Sequence, residues 1–346
     1  MLCKIVMQLD IVKEHSKIKR PLILTKKAKP KRSVVYDTYW RFAAERQNIF
    51  FRRLSGKGYP WTSDKILNDN KFTNVYRATD RVSQYLIGNV IYKEEYDIKD
   101  TLFRILIFKT FNRISTWEFL ENELGGITVQ SYSFKKYDRL LTELLSNKIP
   151  IYSAAYIMTS GRSAFGYPRK HQNHLRLIEQ MLKDKLSYRL QMAKTMQEVY
   201  DRLHSYQTIG DFLAYQYATD INYSTITNFS EMEYVKAGPG AKDGILKCFS
   251  DLGGYGFEDI IRLMADRQWD EFERLGLDFK NLWGRDLQLI DCQNIFCEVD
   301  KYARVAHPDI HGYSHRTRIK QKYKLEEKPP IEPFFPPKWG INNLIP

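Results

Sequence analysis

Residues 99–113 read KDTLFRILIFKTFNR, apolar on nearly every side of a helical period. Such a stretch predicts a helix at the centre of a helical body, because a surface helix keeps one polar face. Outward from it, the same period predicts helices over 36–54, 72–92, 115–123, 134–146, 150–159, 171–186, 189–204, 208–218, 240–249, 257–264, 268–274 and 286–304. Ser115 and Glu118 have the Ser-x-x-Glu spacing of a capping box, which predicts a helix starting at Thr116. Within this series Ile127–Tyr132 suggests an extended segment. No repeated strand–helix pattern and no internal repeat interrupts this series. The expected fold class is all-α.

The chain has 346 residues, 43% hydrophobic and 27% charged. That supplies a core and excludes a wholly disordered chain. No apolar run approaches the roughly 18–20 residues that cross a bilayer. Residues 1–12, MLCKIVMQLDIV, lack the continuous apolar stretch of a signal peptide. Four cysteines (Cys3, Cys248, Cys292, Cys297) are too few and too unevenly placed for a disulfide scaffold. These features predict an intracellular, cytoplasmic protein in a reducing compartment, with no membrane partner.

The formal net charge is +13, and it sits at the ends. Residues 13–32 hold nine Lys/Arg against Glu14, and residues 313–346 hold seven against three Glu, leaving a nearly neutral body. Basic arms on a compact body suit a polyanion, since each neutralised phosphate releases counterions; they equally suit a solvated tail. Residues 1–33, with Pro21, Pro30 and a β-prone Leu22–Thr25, read as an arm. Residues 34–312 read as the body, divisible near 205/206. Residues 313–346 read as a basic tail, ending in a Pro-rich strap with Phe334, Phe335 and Trp339 as anchors.

Three constellations can carry chemistry. In FTNVYRATDRVSQYLIG, Arg77, Asp80, Arg81 and Gln84 fall on one face of a continuous helix. That face is either solvated with an internal ion pair, or lines a cleft where arginine grips phosphate and Gln reads a base edge. In YVKAGPGAKDGI, Gly238-Pro239-Gly240 followed by a helix fits the hairpin of a helix–hairpin–helix DNA-binding element. Glycines at positive φ would there let the backbone approach a phosphate at a helix N-terminus. In LQLIDCQNIFCEVDKYAR, Asp291, Asn294 and Glu298 share one face of an apolar helix. A buried carboxylate there is paired, functional, or simply a cap on the helix.

Other signals fail. The sequence holds no G-x-x-x-x-G-K-[ST] and no G-x-G-x-x-G after a strand. Cys292 and Cys297 point from different faces of one helix, so with His307 and His311 they make a poor zinc set; no metal is expected. Tyr215, Gln216, Thr219 and Asp220 share a helical face, and Tyr152 and Tyr156 stand one turn apart. Such patches either belong to the core or hold an extruded base by its face.

YWRFAAERQNIFFRRLSGKGYPWTSDKILNDNKFTNVYRATDRVSQ, FKTFNRISTWEFL, FLAYQYATDINYS, GPGAKDGI and IDCQNIFCEVDKYAR occur in that order. Over residues 36–304 the chain resembles the α-glutamyl/putrescinyl thymine pyrophosphorylase family, whose domain also occurs as the helical domain of 5-hydroxymethyluracil DNA kinases. The resemblance implies a DNA-glycosylase-like helical fold acting on DNA. Its substrate would be (pyro)phosphorylated 5-hydroxymethyluracil, whose leaving group is replaced by an amino acid or polyamine. No cofactor is implied beyond that co-substrate, and the partners are DNA and a separate kinase, in the host-cell cytoplasm if a phage encodes the chain. From the charge chemistry of such a substitution, rather than from the resemblance, Asp80 and Asp291 are candidate bases, with Arg77 and Lys242 beside them as catalytic residues. Arg46, Arg81, Gly238, Gly240 and Lys242 are candidate phosphate or DNA contacts. Gln84, Tyr215, Gln216 and Asn294 are candidate base contacts. Two rival readings use the same residues: a DNA glycosylase excising a modified pyrimidine, and a non-catalytic DNA-binding module.

Overall fold

The computed structural model describes residues 27–325 and 332–346. Most of the basic arm, with Leu22–Thr25 and Cys3, lies outside the described residues. The all-α expectation is met. Helices α1 (Val34–Leu54), α2 (Lys65–Asp69), α3 (Arg81–Tyr85), α4 (Ile98–Phe111), α5 (Ile114–Leu124), α6 (Phe134–Ser146) and α7 (Arg162–Phe165) come first. Then follow α8 (Lys170–Lys183), α9 (Leu186–Gln191), α10 (Met196–His204), α11 (Asp211–Asn222), α12 (Pro239–Cys248), α13 (Phe257–Arg274) and α14 (Leu289–Ala306). Among the described residues the one sheet is the antiparallel pair β1 (Lys31–Arg32) and β2 (Phe249–Asp251). No helix among them is long and apolar enough to cross a membrane.

Helix α4 sits where its composition demands, with every residue from Thr101 to Phe111 buried. Asp97 caps it by accepting from the backbone N–H groups of Lys99 and Asp100. Its buried Arg104 donates from Nε to the Val90 carbonyl at 2.8 Å, at the end of a π-helical turn over Leu86–Ile91. The last carbonyls of a helical segment have no donor within it, and the guanidinium supplies one to Val90 and Asn89. Helices α12 and α14 press together through glycine: a Cβ on Gly244 would lie 2.0 Å from the Phe296 carbonyl oxygen. The buried pair Lys247–Asp300, at 2.9 Å, fixes their register.

Several predicted elements change. The helix expected over 72–92 is a loop, a 3-10 turn at Arg77–Thr79, then α3 and the π turn. Local side chains compete with the helix here. The Asn74 N–H donates to Asp80 Oδ1, and Asn74 Nδ2 donates to the Thr79 carbonyl, both at 2.8 Å. Asp80 itself is extended, with ψ 143°. The four-residue stripe from Arg77 to Gln84 therefore does not exist as one helical face. Residues 150–159 are irregular, so Tyr152 and Tyr156 are not helical neighbours, and Tyr156 adopts φ +55°. Residues 189–204 split between α9 and α10, while 257–264 and 268–274 fuse into α13. The capping box expected at Ser115 is absent, since α5 starts at Ile114. The Ser115 hydroxyl instead accepts from Arg113 Nε.

The Pro-rich segment lies over the body. Phe335 is fully buried, with its ring 5.8 Å from those of Trp283 and Trp339. The Phe334 N–H donates to Gln84 Oε1 at 2.8 Å.

Candidate functional site

A charged centre is sealed between α4, α11 and the Arg77 turn. Asp220 of α11 faces two cations: Arg77 Nη2 at 2.6 Å and Lys109 Nζ at 2.7 Å, all three side chains at most 3% exposed. Arg77 Nε donates to Gln216 Oε1 at 3.0 Å and Nη1 to the Tyr223 hydroxyl at 3.1 Å. Asp220 holds the Arg77 guanidinium protonated against the cost of burial. Burial pulls the Lys109 ammonium down to about 8 despite the same carboxylate. Lys109 lies 3.8 Å from the Tyr156 ring centroid, so Tyr156 roofs the centre. The Tyr156 ring stacks on Phe212, and Gly238 passes so close to Phe212 that a Cβ would come within 2.7 Å of it.

Two carboxyls flank this centre. Asp291, near the start of α14, accepts from the Arg77 N–H at 2.8 Å and from the Gln288 N–H at 3.0 Å. It is thus both a helix cap and a clamp on the Arg77 turn. Burial, reinforced by Glu231, raises its carboxyl to about 7. Burial raises Asp80 to about 6, against the Asn74 N–H and Arg46. Arg46 donates from Nε to the Thr73 carbonyl at 3.0 Å and from Nη2 to Asn74 Oδ1 at 2.6 Å. Its Nη1 has no hydrogen-bond partner among the described residues, and burial lowers its pKa to about 10. Asn294 Nδ2 donates to Thr73 Oγ1 and to the Asn74 carbonyl, tying α14 to the same loop.

Arg77, Asp291 and Gln216 therefore converge through bonds to one another, while Asp80, Arg46 and Asn294 converge on the Thr73–Asn74 loop. Arg77 and Gln216 spend their polar atoms inside the protein. Gln84 donates to the Ala78 carbonyl and accepts from Phe334, so it ties the strap down. Tyr215 is 1% exposed and packs edge-on against Tyr234. Arg81 opens α3 at the surface.

The Gly-Pro-Gly reading needs correction. Gly238 has φ −73°, and Gly240 is not among the residues at positive φ. The chain reaches α12 through the non-helical connection 223–238 rather than a short hairpin. The glycines serve packing: Gly238 admits Phe212, and Gly240 lets α12 sit against Cys297. Lys242 leaves the opposite side of α12, with its ammonium 5.6 Å from the Phe257 ring centroid.

An open groove of about 870 Å³ lies at the PWT-x-D string, lined by Arg52, Lys57, Trp61, Asp64, Lys65 and Tyr302 among others. Asp64 caps α2 and accepts from the Tyr302 hydroxyl at 2.7 Å. Arg52 is held by Glu45 at 2.8 Å and by the Trp61 carbonyl. Lys57 and Lys65 are exposed at the rim. The basic tail runs alongside: the Lys71 N–H donates to the Gln321 carbonyl, and Tyr323 stacks on Tyr59 with rings 18° apart. Arg53 lies over the Trp61 ring at 4.8 Å. Trp61 and Asp64 stand within the long stretch that carries the family resemblance, which gives them no role. The approach of 320–324 to this string joins residues some 250 positions apart, which no local pattern reveals. Among the described residues no group of three His, Cys, Asp or Glu side chains could hold a metal ion.

The raised carboxyls set a pH dependence. A folded-state pKa above the unfolded value means that the native state holds the extra proton. Stability from Asp291 is then complete below about 3.8 and lost as pH rises toward about 7; for Asp80 the loss ends near 6. Urea midpoints measured from pH 4 to 8 should fall with rising pH, and Asp291→Asn should flatten the fall between 5 and 7. An unchanged slope in that variant contradicts the assignment.

A family model described as "5-hmdU DNA kinase, helical domain" matches residues 33–312. The chain is 27% identical over 332 residues to the 5-hmdU DNA kinase of Bacillus phage SP10, an alignment covering 90% of this chain and 51% of that protein. It thus spans about half the length of this curated relative. No solved structure matches it. The convergence of the FTN-x-YR-x-x-DR and D-x-Q-N strings on one bonded centre agrees with a match that runs from α1 to the end of α14: the chain belongs to the 5-hmdU DNA kinase helical-domain family.

Proposed function

We propose that this protein acts in thymine hypermodification of DNA, on a 5-hydroxymethyluracil whose hydroxyl has been (pyro)phosphorylated. It exchanges the (pyro)phosphate for an amino acid or polyamine. The amine nitrogen attacks the methylene carbon, the carbon–oxygen bond breaks, and (pyro)phosphate leaves with the electron pair. A carboxylate takes the proton that the amine loses. Asp291 suits that step, because its pKa of about 7 lets it exchange protons near neutrality. The 346 residues receive the substitution step rather than the phosphorylation step because they contain no G-x-x-x-x-G-K-[ST].

The observation that supports DNA as the macromolecule is the groove at 57–65, where exposed Lys57 and Lys65 flank the Trp61 ring beside the basic tail. Cations meet the backbone there and rings offer stacking. From Asp291 to Tyr302, α14 rises roughly 16 Å, so the groove holds the strand flanking the reacting base, not the base itself. Arg77 and Asp220 act by fixing the Asp291 clamp.

The test is mass spectrometry of nucleosides from DNA bearing phosphorylated 5-hydroxymethyluracil, incubated with the protein and either glutamate or putrescine. An adduct nucleoside is expected, and Lys57→Ala/Lys65→Ala should weaken DNA binding about tenfold at low salt. Abasic sites in place of an adduct would establish excision instead. Unmodified phosphorylated base would leave the chain without the substitution activity.

A further inference from the structure

The loop after α11 is built to present carbonyl oxygens. Asn222 Oδ1 accepts from the Thr227 hydroxyl and the Phe229 N–H, both at 3.0 Å, and Asn222 Nδ2 donates to the Phe229 carbonyl. Ser224 Oγ donates to the Ile221 carbonyl and accepts from the Ile226 N–H. The carbonyls of Ser224 and Thr227 are thereby aimed at one point. There the strap's Lys338 Nζ donates to them at 2.9 and 2.6 Å. The negative end of the α11 dipole lies alongside, and Glu231 acts on the ammonium electrostatically while its own ion pair is with Arg285, at 3.1 Å.

The strap does not need this ammonium for attachment. Phe335 is fully buried, Phe334 bonds Gln84, and Asn342 bonds both the N–H and the carbonyl of Phe335. Lys338 as a residue is exposed, so its ammonium enters the carbonyl cage from the surface. The cage also borders the charged centre. Trp339 packs edge-on against Tyr223, whose hydroxyl accepts from Arg77, and Glu231 acts on both Lys338 and Asp291.

We propose that the Ser224–Thr227 carbonyl cage is a binding site for a primary alkylammonium, and that Lys338 fills it as a tethered stand-in for the amine co-substrate. The inference rests on the substitution reading above and locates its amine. A tethered side chain competes at an effective concentration on the order of millimolar, so the intact strap weakens binding of a free amine.

Calorimetry and thermal melting with putrescine test this on the full chain. Lys338→Met should fold as the wild type does and bind putrescine at least tenfold more tightly. At about ten times its Kd, putrescine should raise that variant's melting temperature by about 2 °C. The same putrescine concentration should raise the wild type by no more than about 0.6 °C, and 1,4-butanediol should move neither. Lys338→Ala gives the same readout if the methionine variant melts early. Equal binding to wild type and variants, or none to either variant, overturns the assignment. Amine binding in Lys338→Met without any adduct on DNA would condemn the substitution reading and leave the site standing.

Discussion

Asp220→Ala is expected to cost about 3–5 kcal/mol, the usual penalty for removing one partner of a buried ion pair. Asp220 is the carboxylate to which both Arg77 and Lys109 are paired, and neither cation is more than 3% exposed. Its loss leaves two like charges facing each other in a dry interior. The native state of a domain is stable by roughly 5–15 kcal/mol, so the variant should unfold at a markedly lower urea concentration or fail to accumulate. Lys109→Met in the same chain should recover part of the loss, since it removes one of the two stranded charges. An Asp220→Ala midpoint within error of wild type would show that the centre is solvated and would remove its structural role.

Gly244→Val should be comparably damaging for a different reason. Even the first carbon of the new side chain would lie 2.0 Å from the Phe296 carbonyl oxygen and 3.1 Å from the Phe296 Cα. Those atoms are backbone within α14 and cannot swing aside, so α12 must lift off. Overpacking alone costs about 1–3 kcal/mol, and separation would also strand Lys247 and Asp300, each 2% exposed. A loss of about 4 kcal/mol or outright misfolding is expected from the two together. Gly88→Ala is the control, because a Cβ there meets nothing within 4 Å. If the two variants melt alike, the close approach of α12 and α14 is not what holds this half of the body.

Much of the helical framework was legible because burial leaves a period. Helix α4 announces itself through an apolar run, and α1, α6 and α14 appear close to their predicted bounds. What failed was decided by side chains bonding to nearby backbone. Asn74 and Asp80 close a loop that hydrophobic period alone would have continued as helix. Gly238 and Gly240 were read as turn formers, whereas close packing against Phe212 and Cys297 accounts for them. Of the candidate site, Arg77, Gln216 and Asp291 were found as members but not as mutual partners. Lys109 was passed over, although a lysine inside an otherwise apolar helix must find a carboxylate. The groove escaped notice because Tyr302, some 240 positions away on α14, completes its lining.

The short ribbon formed by Lys31–Arg32 and Phe249–Asp251 has a consequence during translation. Its first strand is synthesised about 220 residues before its partner, which at roughly 5–20 residues per second is a wait of some ten to forty seconds. Arg32 must pass that interval without Glu271, and Ser33 without the Lys247 carbonyl to which it donates. The start of α1 is therefore docked late, by residues synthesised more than 200 positions after it.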